Sequence, residues 1–181
     1  GRQLQVLAAG RDTHLALAHA RLSVLDLSRA AAQPMGHRET GSLLIYNGEL
    51  YNYRELRAEL LQRGHRLATQ SDTEVIVHLY EDYGDDYVTK LRGMFGIALW
   101  DTRKNKLLLA RDRVGIKPMY YTVTKDALLF ASEIKSLLLD PSVPREVDAQ
   151  AIDRFLTFFY LPGEETLLRG IQKLAPGHVL T

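Results

Sequence analysis

The sequence predicts an α+β fold: two antiparallel sheets packed face to face, with helices covering their outer sides. Three observations carry that prediction. Strand-like runs come in hairpins joined by short polar turns, not in regular strand–helix–strand units. The hairpin strands, Met94 to Asp101 with Leu107 to Ala110 and Tyr120 to Val123 with Leu128 to Ala131, alternate too little for a sheet with one wet face. The intervening segments repeat apolar residues at helical spacing. At 181 residues, with 46% hydrophobic and 25% charged residues, the chain is one globular domain in length and composition.

The elements follow in order. Leu15, Leu17 and His19 alternate with alanines, and Leu22, Val24, Leu25 and Leu27 follow, so the first 35 residues read as strand. Leu43 to Tyr46 is a short buried strand, and Asn47-Gly48 after it is a turn dipeptide. Tyr53 to Arg63 reads as a helix stopped by Gly64, with Asn52 and Glu55 as a capping-box pair. Asp72 is the next N-cap, opening a stripe of Val75, Ile76, Leu79 and Tyr80 that ends at Gly84. A short helix is expected near Asp85 to Leu91, then the two hairpins, then helices over Glu133 to Leu139 and Ala149 to Phe159, the second capped by Asp148. A last strand lies near His178 to Leu180. Residues 1–181 read as one domain, of which about 148–181 leads toward a linker.

Composition excludes several function classes. No apolar run approaches the ~20 residues a membrane helix needs. A net charge of +1 gives no reason to expect a nucleic-acid groove or a polybasic membrane patch. The absence of cysteine excludes disulfides, thiolate zinc sites, iron–sulfur clusters and a cysteine nucleophile within these residues. The six histidines are scattered, with no pair at ligand spacing on one helix, so no metal site is expected. No phosphate-binding glycine motif occurs; Gly93 and Gly96 read as sites of close packing at a strand entry. Arg111-Asp112-Arg113 reads as a solvated or mutually paired loop. A cytoplasmic protein is the default reading.

Five positions are polar where the pattern predicts otherwise: Arg21, Asn47, Gly48, Glu49 and Asp72. Together they offer one guanidinium, two carboxylates, an amide and a glycine N–H. An α-amino acid needs such a set, a guanidinium for its carboxylate and carboxylates for its ammonium. The amide and the backbone N–H suit a developing oxyanion. Taken singly each has a plainer reading: a turn for Asn47-Gly48, an N-cap for Asp72, a surface or ion-paired arginine, a solvated glutamate.

Collinear blocks then resemble the glutamine-hydrolysing asparagine synthetase family. They are His19 to Ser28 with Gln33-Pro34-Met35, Tyr46 to Asn52, Ser71 to Ile76, Leu91 to Asp101, Ala110 to Tyr121, Phe130 to Lys135 and Lys173 to His178. The resemblance implies a class II glutamine amidotransferase domain of N-terminal-nucleophile hydrolase type, a four-layer α/β/β/α sandwich of two antiparallel sheets. It implies Arg21 for the glutamine α-carboxylate, Glu49 and Asp72 for its ammonium, and Asn47 with Gly48 as the oxyanion hole. The family's N-terminal cysteine nucleophile and its Ser-Gly-Gly-x-Asp-Ser loop are both absent here. This chain is therefore expected to be a fragment, inactive alone, of a homodimeric parent. No cofactor is expected for this domain; ATP and Mg²⁺ would serve the synthetase domain that amidates aspartate. Two rival expectations stand: a relative that amidates another acceptor, envelope or exopolysaccharide-linked or of β-lactam-synthetase type, and a non-catalytic binding or dimerisation module.

Overall fold

The computed structural model describes residues 2–8, 14–21, 26–37 and 41–181. Among them lie strands β1 (Arg2–Ala8), β2 (His14–Ala20), β3 (Met35–His37), β4 (Ser42–Leu50), β5 (Gly93–Asp101), β6 (Lys106–Arg111), β7 (Tyr120–Val123), β8 (Leu128–Ala131), β9 (Gln172–Lys173) and β10 (Val179–Leu180). The helices are α1 (Tyr53–Gln62), α2 (Asp72–Tyr83), α3 (Tyr87–Lys90), α4 (Ile134–Leu137) and α5 (Ala149–Phe158). Leu22, Val24 and Leu25, read above as strand, lie outside the described residues; Leu27 is exposed.

A five-stranded antiparallel sheet, ordered β10-β6-β5-β4-β3, forms the centre. Its inner strands β4, β5 and β6 are largely buried on both faces, which is why they lack polar alternation. On one face Leu44, Tyr46, Ile97, Leu99 and Leu108 meet Leu56 and Leu60 of α1 and Val75, Ile76 and Leu79 of α2. On the other face Ala98 and Leu109 pack with Met119 and Leu174, with Phe130 of β8 alongside. Leu15 and Leu17 of β2 seat there too, on Leu43 and Trp100. The second β layer thus has two pieces, the sheet β8-β7-β9 and the hairpin β1-β2. Leu137 of α4 covers the outside with Val143 and Ile171. The layers run α/β/β/α, as the sequence predicts. Each fully buried leucine of this core contributes about 1.5–3 kcal/mol by leaving water.

Several local expectations are corrected. Asn47-Gly48 is no turn: β4 runs straight through it, with Asn47 opposite Gly96 and Gly48 opposite Phe95. The glycine is there for close approach. A Cβ on Gly48 would lie 2.2 Å from the Met94 carbonyl oxygen, and one on Gly93 would lie 2.2 Å from that of Glu49. The reading of Gly93 as a close-packing glycine therefore holds. Asn52 does not cap α1; its amide donates to Lys90 O and accepts from Arg92 N, binding the chain before β5. Ser71, not Asp72, caps α2, accepting from Thr73 N at 3.2 Å. The helix after β8 is a single turn.

The Arg111-Asp112-Arg113 run is not self-paired, and of its three residues only Arg113 is exposed. Asp112 is fully buried and accepts from the N–H groups of Phe95, Val114, Ile116 and Lys117. Burial alone would raise its carboxyl; those donors outweigh it and hold the group below the ordinary carboxylate value. Arg111 donates to the carbonyls of Lys117, Leu174 and Gly115, and Arg113 to those of Leu91 and Thr89. Buried backbone groups in a long connection need partners, and here side chains supply them. Asp148 caps α5 as expected, accepting from Gln150 N and Ala151 N.

Candidate functional site

Arg21, Asn47, Gly48, Glu49 and Asp72 line one cleft of about 860 Å³. It opens where β4 outruns β3: β3 covers β4 only from Ser42 to Leu44. Beyond that point the edge of β4 faces the cleft.

Strand geometry sets what this edge presents. Successive N–H groups of a strand point to opposite sides. The Tyr51 N–H donates to Arg92 O, on the β5 side. Phe95, opposite Gly48, gives both its backbone groups to Asp112 on the far side of β5. The N–H groups of Tyr46, Gly48 and Leu50 therefore point away from β5, toward the cleft. Gln33 Oε1 accepts the first at 2.6 Å, and Asp72 Oδ2 accepts the third at 3.1 Å. The Gly48 N–H lies between these two claimed neighbours.

Asp72 sits at the first turn of α2, buried beneath this edge. Its Oδ2 also accepts from the Tyr46 hydroxyl at 3.0 Å. Burial pushes its carboxyl above the ordinary carboxylate value, opposed by the hydrogen bonds from Leu50 and Tyr46. Burial and the Asp72 charge together drive the Tyr46 phenol far above its ordinary range, so it remains a donor. The helix N-terminus adds favourable potential for the ionised carboxylate.

Arg21 closes the β2 end of the cleft. Its guanidinium donates to Ser28 O at 3.0 Å and to Asp26 O. Asp26 in turn accepts from Gln70 N at 2.9 Å, next to the start of α2. The arginine is thereby tied to the helix that carries Asp72. Asn47 Nδ2 donates to Ser132 Oγ at 3.4 Å, a long bond across the two β layers. Glu49 is exposed on the same strand, two residues along and so on the same face as Asn47.

All five residues picked from the sequence thus border one cleft. Sequence reasoning missed Tyr46, Gln33, Ser71 and Ser132, which hold or touch them. Tyr46 looked like core and is core, yet its hydroxyl serves Asp72. Ser71 was hidden by its neighbour, since Ser-Asp offers two capping residues in succession. Gln33 lies 13 residues from the N–H it accepts and gives no local signal.

Residues 8–181 match the family described as glutamine amidotransferase domain. The chain is 39% identical over 170 residues to asparagine synthetase [glutamine-hydrolyzing] 1 of Bacillus subtilis, covering 94% of this chain and 27% of that protein. It is 44% identical over 177 residues to asparagine synthetase [glutamine-hydrolyzing] 2 of the same organism, covering 93% and 23%. It is 38% identical over 167 residues to amidase chry2 of Gibberella zeae, covering 92% and 24%. It spans about a quarter of the length of these curated relatives. Among solved structures, glutamine phosphoribosylpyrophosphate amidotransferase from Bacillus subtilis, complexed with ADP and GMP, superposes at a TM-score of 0.61 with 25% identity. That superposition covers 74% of this chain and 31% of the other. The match over nearly all of its length, on a sheet edge that gathers the five polar residues, makes this chain a member of the glutamine amidotransferase domain family.

Proposed function

We propose that this chain is the glutamine-hydrolysing part of a longer enzyme of the asparagine synthetase type. The observation that supports it most is the cleft at the β4 edge, where a guanidinium, two carboxylates and an unclaimed-side glycine N–H meet. In this reading Arg21 grips the glutamine α-carboxylate as a planar fork. Glu49 and Asp72 take the ammonium. The side-chain amide then lies along β4, its carbonyl oxygen toward the Gly48 N–H and the Asn47 amide. A thiolate attacking that carbonyl places negative charge on the oxygen, and those two donors stabilise it. The chain has no cysteine, so the thiol is supplied from outside these 181 residues.

The ammonia released would amidate aspartate in a synthetase domain of a cytoplasmic, homodimeric parent. In this reading ATP and Mg²⁺ would serve that domain, while the cleft here offers an amino-acid recognition set. The similarity to amidase chry2, at 38% against 39% for the first synthetase, favours a second reading in which the parent amidates another acceptor.

Calorimetric titration with L-glutamine tests the first step. L-Glutamine should bind and D-glutamine should not, and Arg21→Lys should abolish the difference. Equal binding of both enantiomers would sink the assignment. Assays of the complete enzyme with ATP, Mg²⁺ and alternative carboxylate acceptors separate the two readings of the parent.

A further inference from the structure

A second cluster lies on the helical side of the molecule, away from the glutamine cleft. His37 ends β3, His65 sits in the connection between α1 and α2, and His78 and Glu81 lie one turn apart on α2. Three elements distant in sequence thus bring four ligand-type side chains together. No two of the histidines share a helix, which is why spacing along the sequence does not reveal them.

The donor atoms converge closely. His65 Nδ1 lies 3.1 Å from His78 Nδ1. Glu81 Oε2 lies 3.5 Å from His65 Nδ1, 3.4 Å from His78 Nδ1 and 3.7 Å from His37 Nε2. Ligand atoms of His37, His78 and Glu81 all fall within 4.8 Å of one another. Tetrahedral zinc with nitrogen and oxygen ligands at about 2.0–2.2 Å spaces its donors about 3.3–3.6 Å apart. The separations of Glu81 Oε2 from the three rings, 3.4–3.7 Å, lie close to that spacing, and the His65–His78 pair lies just inside it.

Hydrogen bonding alone explains it poorly. Glu81 Oε2 is buried and has no hydrogen-bond partner, although three imidazoles surround it. A buried carboxylate oxygen with no donor is costly. A cation shared with the ring nitrogens would satisfy it. The other face of His65 supports the same reading. Its Nε2 faces Asp82 Oδ1 at 2.9 Å, and Asp82 is held by Arg63 at 2.6 Å. A carboxylate there favours the proton on Nε2 and turns the Nδ1 lone pair toward Glu81 and His78. Metal-bound histidines commonly have this carboxylate behind them. A pocket of about 340 Å³ bordered by these side chains and Gly64 gives an ion a way in.

We propose that His37, His65, His78 and Glu81 form a binding site for one divalent transition metal, with zinc as its natural occupant. Three imidazoles and one carboxylate suit zinc better than magnesium or calcium, which prefer all-oxygen shells. The site is structural. It pins the end of β3 and the α1–α2 connection to α2, and His78 lies six residues, about 9 Å of helical rise, beyond Asp72. The metal would therefore steady the helix that carries a cleft carboxylate without touching the cleft.

The test uses tag-free protein stripped with a chelator and titrated with Zn²⁺ alone. One equivalent should bind, and the melting temperature should rise with free Zn²⁺ as linkage requires. Co²⁺ in its place should give the intense visible bands of a tetrahedral site. His78 is buried and its loss risks unfolding, so the decisive variants are His65→Gln and Glu81→Gln, compared where their metal-free circular dichroism matches the parent protein. Each should weaken Zn²⁺ binding more than tenfold. Asp82→Asn keeps all four ligands and should weaken it by about 10–100-fold. His178→Gln, a control elsewhere on the surface, should leave it unchanged. Folded protein that binds no stoichiometric zinc, or binds it equally well in both decisive variants, would overturn the proposal.

Discussion

Gly48 and Gly93 hold β4 and β5 closer than any side chain allows, and Gly48→Ala measures the worth of that approach. The added Cβ would meet the Met94 carbonyl oxygen at 2.2 Å, Phe95 Cα at 2.8 Å and the Tyr46 ring at 2.9 Å. Two of these are backbone atoms, so no rotamer change relieves them. Reaching even 3.0 Å requires the strands to part by about 0.8 Å. A ladder bond of about 2.9 Å would then exceed 3.5 Å and cease to be one. Losing two such bonds costs about 2 kcal/mol, and overpacking adds about 1–3 kcal/mol. At about 2–4 °C per kcal/mol for a chain of this size, the melting temperature should fall by roughly 10 °C. Gly36→Ala is the matched control in the same sheet. Its Cβ would meet only a Leu43 methyl, at 3.3 Å, and should cost less than about 1 kcal/mol. The double variant Gly48→Ala/Gly93→Ala should lose less than the two single losses combined, because one parting of the strands serves both. Thermal unfolding followed by circular dichroism reads the three single variants and the double variant against the parent protein. Equal losses for Gly48→Ala and Gly36→Ala, or strict additivity in the double variant, would refute the close-approach reasoning.

The remaining expectations concern the cleft and its supports. In the complete enzyme, Arg21→Lys should raise the glutamine KM about tenfold or more, an interaction of about 1.5–3 kcal/mol, while free ammonia still supports synthesis; an equal fall in both assays would make the arginine structural. Asn47→Ala should lower kcat about 10²–10³-fold with little change in glutamine affinity, and a pure KM effect would place the amide in binding instead. Because burial raises the Asp72 carboxyl, its ionised form costs stability at neutral pH, and that cost is relieved as pH falls through the raised value. Asp72→Asn keeps an oxygen for Tyr46 and Leu50, so it should leave stability at pH 7 equal or higher yet weaken glutamine binding; a marked drop in melting temperature would contradict this. Asp112 has the opposite sign: its lowered carboxyl stabilises the fold above the ordinary value of 3.8, and that contribution is lost as pH falls below it. Asp112→Asn should therefore destabilise the protein at pH 7 and flatten its acid unfolding; an unchanged acid limb would exclude the carboxylate as its source.

The fold was legible where one physical rule governed a segment. The hairpins of β5 with β6 and β7 with β8, the stripe of α2 and the Asp148 cap are where periodicity and capping place them. Failures came where tertiary contacts outbid a local rule. Asn47-Gly48 has turn chemistry, but pairing with β5 along nine residues keeps β4 extended. Asn52 has capping chemistry, but two backbone groups near β5 claim its amide. The charged run at Arg111 looked solvated because nothing local shows how many backbone groups lie around it. The five cleft residues were found by type, as polar interruptions of apolar pattern. Their supports were not, because Gln33 and Tyr46 interact with them only through the fold.

The edge of β4 also bears on how a working cleft avoids becoming a place where chains adhere. Exposed strand edges invite another strand, which needs a run of alternate N–H and C=O groups to climb. Here the rungs on either side of Gly48 are already occupied, by Gln33 below and Asp72 above. An incoming backbone finds the Gly48 N–H flanked by two N–H groups that are already taken, so it gains no run of donors to climb. A single oxygen atom needs only the one N–H. The two buried side chains thus act as a size filter written in hydrogen bonds: the edge is shut to a polypeptide and open to one carbonyl.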